Sequence, residues 1–281
     1  MRCLALAALV LVTSSPLRAQ DVTSSGQLSL APHGVASPVL TAEEQEQFLL
    51  TARVGRVSNV KAGITGTRRA TLTDGAWTHD ASIQSIDESK SRFESARRIE
   101  FNFRDYWGYN IAAYRLGRML GLDMVPPSVQ RAHRGANAAF TWWVDDVMMD
   151  ERERAKTRAL PPNPTYWNDQ IHVLRVFDEL IANTDRNQGN MLIDRQWKLW
   201  LIDHTRGFRV NSALRTPQTI RRCERTLLER MRSLTRDRLK EELGRYLSAG
   251  EIKALLERRD RLVEHVDALG PSALYDLRRP E

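Results

Sequence analysis

The sequence predicts an α+β protein of two lobes: a strand-rich first half with one helix, then a mainly helical second half holding one small hairpin. Three features predict it. Short apolar runs between residues 54 and 144 are punctuated by Gly and Asp-Gly. An apolar stretch over 165–183 has too wide an arc for a surface helix, and the C-terminal third repeats apolar residues at helical spacing. With 281 residues, 42% hydrophobic and 27% charged, the chain can bury its own core and falls outside the collagen-like, low-complexity and wholly disordered classes.

Residues 1–19 have the order of a signal peptide: Arg2, an apolar run from Leu4 to Val12, then Leu17-Arg18-Ala19 before Gln20. Export, periplasmic or secreted, is the expectation. The run is about half of the roughly 20 residues that span a bilayer, and no later segment approaches that length. Losing this segment removes Arg2 and Arg18 and no acid, lowering the formal net charge from +7 to +5. Cys3 goes too, leaving Cys223 without a disulfide partner.

Residues 20–44, rich in Ser, Gly, Pro and Thr, read as a linker that merges into a helix opened by a Thr41/Glu44 capping box. The first lobe is assigned to 45–146 and the second to 147–281. Asp74-Gly75, between Ala70-Thr71-Leu72 and Trp77-Thr78, signals a hairpin. A helix follows from about Asp105 to Leu120, with Ile111, Ala112, Leu116, Met119 and Leu120 on one stripe and Gly121 as its stop. Val125–Val129 and Ala138–Val144 read as two strands joined around Gly135-Ala136-Asn137. Residues 150–158 are charged and are followed by Pro161, Pro162 and Pro164. Beyond the 165–183 helix, Arg221, Arg222, Arg225, Arg230, Arg232, Arg236 and Arg238 lie on one amphipathic helix with Leu227, Leu228, Met231 and Leu234. That basic stretch reads as a solvated face, so nucleic acid is not the expected partner. Ser248-Ala-Gly-Glu251 is a second capping box, opening the last helix.

The chemistry concentrates between these helices. The 165–183 helix runs into Asn183-Thr-Asp185-Arg-Asn-Gln-Gly-Asn190. A strand, Met191–Asp194, turns at Arg195-Gln196 into a second, Trp197–Ile202, which ends on Asp203. Asp185 and Asn190 on one loop and Asp203 on another therefore share one end of a two-stranded hairpin. Phosphoryl transfer from ATP needs such a set: an Asp to orient or deprotonate the attacking group, and an Asn five residues on with an Asp at the next strand end to hold Mg²⁺ or Mn²⁺. Asn, Asp and Gly also dominate turns for backbone reasons, so the signal lies in the conjunction. No His pair has zinc-site spacing, no Gly-x-Ser-x-Gly occurs, and Cys223 has no evident base.

Phe177–Asn190 together with Leu201–Phe208 resembles the catalytic core of the phosphoinositide 3/4-kinase-like branch of the protein kinase-like fold. That branch also takes in HipA-type bacterial kinases and kinases of the animal secretory pathway. Ile111–Pro126 resembles the branch's first-lobe helix and the strand after it, and Leu255–Asp260 its C-terminal helix; the likeness spans most of residues 55–270. It implies Asp185 as the catalytic Asp and Asn190 and Asp203 as metal ligands, with ATP and Mg²⁺ or Mn²⁺ as cofactors. Such kinases carry a strand Lys that pairs the phosphates and a helix Glu that holds the Lys. Those places fall on Gln84 and Asn110, which can hydrogen-bond each other but bring no positive charge. Lys61, Arg68, Arg69 and Lys90 are the candidate replacements, with Glu100 as another acid. Gly63-Ile-Thr65-Gly66-Thr67 is a candidate phosphate-covering loop. Three readings follow: a phosphotransferase acting on a protein, lipid or small-molecule hydroxyl; a pseudokinase that keeps the fold for binding alone; or nucleotidyl transfer by the same residues.

Overall fold

The computed structural model describes residues 40–60, 66–95 and 98–278. The expected signal segment, most of the expected linker, and Lys61, Gly63 and Thr65 lie outside the described residues. Helix α1 (Ala42–Thr51) opens on the expected capping box, with the Thr41 side chain accepting from the Glu44 backbone and Glu44 answering. Its Phe48 and Leu49 cover an antiparallel sheet of order β1-β2-β3-β7-β6. These strands are β1 (Arg53–Asn59), β2 (Arg68–Thr73) and β3 (Thr78–Gln84), then β6 (Ser128–His133) and β7 (Ala136–Trp142) from later in the chain. The β2–β3 turn is the one signalled by Asp74-Gly75, widened to four residues because the Asp74 carboxylate accepts from the Ala76 and Trp77 amides. The β6–β7 turn is the two-residue pair Arg134-Gly135, both at positive φ, with His133 opposite Ala136. The sixth strand starts at Ser128 rather than Val125, because Pro126 and Pro127 have no N–H to give a ladder.

A second hairpin, β4 (Asp87–Ser95) with β5 (Arg98–Tyr106), has no counterpart in the sequence expectation. It carries into Tyr106, so α2 (Gly108–Met119) begins three residues later than the apolar stripe implied. Its stop is as expected. Gly121 sits at φ +69, its N–H reaching the Arg118 carbonyl and that of Leu122 the Gly117 carbonyl, a Schellman ending. Ile111, Ala112, Leu116 and Leu120 are buried in the core that extends through the second half of the chain.

That half differs from expectation in four places. β8 (Val147–Asp150) adds to the hairpin of β9 (Met191–Asp194) and β10 (Leu199–Leu201), making three strands of order β10-β9-β8. The charged segment after Asp146 folds into α3 (Glu151–Thr157), because Asp150 caps it by accepting from the Glu153 amide. α4 (Pro164–Leu180) is the wide-arced helix, capped by Asn163 with Pro164 at its first position. The buried Gln170 of α4 grips the hairpin, donating to the Trp197 carbonyl at 2.9 Å and accepting from the Leu199 amide at 2.7 Å. Cys223 lies not in a helix but in a bridge, β11 (Cys223–Glu224), parallel to the later β12 (Leu274–Tyr275). The Arg-rich stretch is two helices, α5 (Arg225–Arg232) and α6 (Arg236–Leu243), since Thr235 caps a new start. The last helix, α7 (Ala249–Leu269), opens on its expected capping box.

Arg258 of α7 is fully buried. Its Nε donates to the Leu180 carbonyl at 2.8 Å, and its Nη1 to those of Arg209 and Asn211 at 2.7 and 2.6 Å. Burial lowers its guanidinium to about 10, so it stays charged at neutral pH. Arg258→Met keeps the volume but strands three carbonyls at about 1 kcal/mol each or more. Urea unfolding should show a loss of about 3 kcal/mol; a loss below about 1 kcal/mol would mean those carbonyls find other partners.

Candidate functional site

The last turn of α4 and the loop after it build one side of the site. Asn183 is buried, accepting from the Asp185 amide at 3.1 Å and donating to Asp178 at 3.2 Å, which fixes the backbone that presents Asp185. Arg186 then turns inward. Its Nε and Nη2 fork onto the two oxygens of Asp178 at 2.9 and 3.1 Å. Its Nη1 donates to the Asn190 carbonyl at 2.9 Å and the Ile202 carbonyl at 2.8 Å. The Ile202 amide also reaches the Asn190 carbonyl, at 3.1 Å. One guanidinium therefore ties the loop of Asp185 and Asn190 to the strand end that presents Asp203.

The two lobes meet over this end through a chain of hydrogen bonds. Gln84, last residue of β3, donates from Nε2 to the Asp203 carboxylate at 3.0 Å and to the Thr67 hydroxyl at 3.1 Å. Its Oε1 accepts from Asn110 of α2 at 2.8 Å, and Asn110 accepts the His204 amide at 2.8 Å. Gln84 and Asn110 thus hydrogen-bond each other and hold Asp203 and His204 in register. His204 is buried, and burial together with nearby Arg186 keeps its imidazole neutral, its pKa well below the usual value.

Asp203 stands at φ +55, a left-handed conformation that Asp tolerates better than most residues. Burial pushes its carboxyl above the usual carboxylate range; hydrogen bonds from Gln84 and Thr205 oppose this, while Asp105 and Asp185 add to it. Asp185 faces the opening with its side chain 40% exposed, 3.6 Å from Nη1 of Arg206. Arg206 in turn holds the buried Asp105 at 3.0 Å, leaving the other Asp105 oxygen with no hydrogen-bond partner.

These groups line a cleft of about 560 Å³. Val125, Trp142, Val144, Leu192 and Leu201 give it apolar walls; Thr67, Gln84, Asn110, Asp185, Asn190 and Asp203 give it polar ones. Six residues singled out in the sequence are therefore brought together. Gly66 is not among the lining residues. Nor are three of the candidate cations. Arg69 pairs with Asp80 at 2.5 Å and stacks on Trp143, Lys90 pairs with Glu88 at 3.0 Å, and Arg68 stays on β2. Glu100 pairs with Arg209 rather than reaching Gln84. Two lining cations, Arg152 and Arg206, were not singled out. Arg206 follows Asp203 by three residues and was legible by proximity; Arg152 sits in a charged run that reads as solvated surface.

Among the described residues no group of three or more His, Cys, Asp or Glu is placed to hold a metal ion. What the cleft offers is smaller. Both hydrogen bonds to Asp203 fall on Oδ1, leaving Oδ2 without one among the described residues, and the Asn190 side chain likewise has none. Two hard oxygen donors, with the Asp105 and Asp185 carboxylates nearby, fit Mg²⁺ or Mn²⁺, ions commonly held by one or two protein groups plus substrate phosphates.

No protein-family model matches the chain, and no curated protein matches it in sequence. Solved structures do match it in fold. A hydra Fam20 structure with sugar superimposes with a TM-score of 0.63 at 13% identity, over 84% of this chain and 92% of that one. The Golgi casein kinase with Mn and ADP bound gives 0.58 at 12% identity, over 82% of this chain and 76% of that one. Another structure of the Golgi casein kinase gives 0.59 at 12% identity, over 85% and 79%. The fold is the two-lobe kinase-like fold expected from the sequence, and the neighbours include kinases of the secretory pathway.

A carboxyl whose pKa is raised by folding opposes folding once pH passes the ordinary carboxylate range, because the unfolded chain has already released the proton. Asp203→Asn removes that term and keeps an acceptor for Gln84. At pH 7 the variant should melt above wild type, by roughly 2–4 °C for each kcal/mol relieved. The gap should close as pH falls below about 4. Equal melting at pH 7 would show that the folded protein already compensates the carboxylate.

Proposed function

We propose that the chain is an exported, ATP-dependent phosphotransferase acting on a hydroxyl of a protein, lipid or small molecule. The observation that carries the reading is the convergence of Asp185, Asn190 and Asp203 at one end of a braced hairpin inside a cleft of nucleotide size. Manganese and ADP in the Golgi casein kinase of the same fold support nucleotide and metal as ligands. The signal-peptide order of residues 1–19 supports export, and among the described residues no helix is long and apolar enough to cross a membrane.

The chain's own residues divide the work. Asp185, exposed enough to meet an acceptor and oriented by Arg206, receives the hydroxyl proton. Asn190 and Asp203 offer the oxygens for Mg²⁺ or Mn²⁺, which when bound supplies positive charge against the β,γ-phosphates. Gln84 and Asn110 keep Asp203 aimed into the cleft, while the apolar walls take a base and exclude water. One observation favours a second reading. The Gln84–Asn110 pair gives Asp203 a neutral partner where kinases keep a cation, the expected state of a pseudokinase that binds nucleotide without turnover.

Ligand at a hundred times its Kd stabilises by about 2.7 kcal/mol, so a thermal melt with ATP or ADP and Mn²⁺ tests the site directly. The wild type should gain several degrees and Asp203→Ala none; absence of any shift in a folded wild type rules out a nucleotide site. Asp185→Asn should keep the shift while losing about 10²–10⁴-fold in transfer or ATP hydrolysis. Binding without turnover in the wild type selects the pseudokinase. Analysis of which phosphorus is transferred separates phosphoryl from nucleotidyl transfer.

A further inference from the structure

A phosphate-binding cleft needs positive charge, and β3 does not supply it here. Both amide hydrogens of Gln84 are committed, to Thr67 and Asp203, and its oxygen is taken by Asn110. Of the two cations lining the cleft among the described residues, Arg206 is already held by Asp105 and Asp185. Arg152 is different. Its neighbours on α3 are paired, Arg154 with Glu151 and Lys156 with Glu153, yet Arg152 has neither ion pair nor hydrogen bond among the described residues. Its guanidinium lies over Gly189, where a Cβ would come within 2.5 Å of Nη2. Gly189 immediately precedes Asn190 and donates its amide to Asn187, so this backbone approach brings an unneutralised charge beside one of the two metal-binding candidates. The place of Arg152 is set locally, two residues after the helix cap Asp150, which itself lines the cleft.

We propose that Arg152 is the phosphate-contacting cation of this site, reaching the ligand from α3 of the second lobe rather than from β3 of the first. The proposal rests on the nucleotide reading above and narrows it: the ligand carries a di- or triphosphate, because a nucleoside alone leaves Arg152 facing water. A guanidinium also suits the task by geometry, its fork matching two phosphate oxygens where an ammonium meets one.

The test compares ADP with adenosine, both with Mn²⁺, by calorimetric titration of the full-length protein. Arg152→Ala should weaken ADP at least about tenfold, the loss of a charge-assisted hydrogen bond, and leave adenosine unchanged. Its melting temperature without ligand should stay at the wild-type value, since no partner within the chain is lost. Arg152→Lys should recover part of the ADP affinity. Lys61→Ala is the competing arm: if it, and not Arg152→Ala, removes the preference for ADP, the phosphate cation comes from the first lobe and the proposal falls. Wild-type ADP affinity in Arg152→Ala, or an equal loss for both ligands, overturns it as well. A wild type that binds neither ligand fails differently, since that outcome removes the nucleotide reading on which the proposal stands.

Discussion

Everything at the site hangs on how one side chain is shared. Arg186 is nearly buried, its charge matched by Asp178 at the end of α4, and it spends its remaining donors on the carbonyls of Asn190 and Ile202. Those carbonyls belong to two different loops. Without the guanidinium the Ile202 carbonyl would be a desolvated acceptor lacking a donor, at about 1–3 kcal/mol, the Asn190 carbonyl would keep only the Ile202 amide, and Asp178 would lose its cation. The fork–fork geometry matters as much as the charge. Two bonds to Asp178 fix the plane of the guanidinium, and that plane determines where the loops lie relative to α4. α4 in turn grips the hairpin through Gln170, so the hairpin is held at both of its ends by buried side chains from one neighbourhood of the fold.

Charge balance in the cleft follows from the neutral pair at the end of β3. Gln84 and Asn110 connect β3, α2 and the Asp203 strand end through hydrogen bonds while contributing no charge. Burial raises the Asp203 carboxyl, hydrogen bonds from Gln84 and Thr205 oppose the rise, and Asp105 and Asp185, which share Arg206, add to it. Such a cleft attracts a divalent cation more readily than a bare phosphate. A phosphate enters well once metal is bound or once a second cation reaches it, and Arg152 is placed to be that cation. The neutral Gln84–Asn110 pair thus explains why the search for positive charge leads away from β3.

Much of this was legible in the chain because it is local. The capping boxes at Thr41 and Ser248, the Gly121 stop and the Asp74-Gly75 turn are set within four residues, and all formed as read. The clustering of Asp185, Asn190 and Asp203 was legible because a hairpin of known length returns its ends to one place. The hairpin β4–β5 was not. β5 alternates Ile99, Phe101 and Phe103, but β4 offers Phe93 as its one apolar residue: Phe93 and Phe103 stack on each other, while Phe101 is 72% exposed. β8 is four residues that become a strand by pairing with the distant β9, and α3 lies in a charged run beside prolines that has no apolar period and is started by the Asp150 cap. Arg152 belongs to that run. Its significance lies in what it does not touch, which no single sequence displays.

The backbone around the site is held in a costly shape, and the fold shows what holds it. Ala182 at φ +48 and Phe208 at φ +55 are left-handed without the side-chain chemistry that excuses Asp203, a conformation costing roughly 1–2 kcal/mol for such residues. They flank the site on either side, one after α4 and one after Asp203. Arg258 binds the carbonyls of Leu180, Arg209 and Asn211, which bracket both strained positions, and the Phe208 amide donates to the Ile181 carbonyl between them. Phe208 is also wholly buried against Tyr109 of α2, so unwinding it would expose an aromatic ring. Strain of this kind persists only where surrounding contacts over-determine the backbone. A buried arginine and a buried phenylalanine do so here. The segment between the two strained positions, residues 183–207, brings Asp185, Asn190 and Asp203 to one cleft.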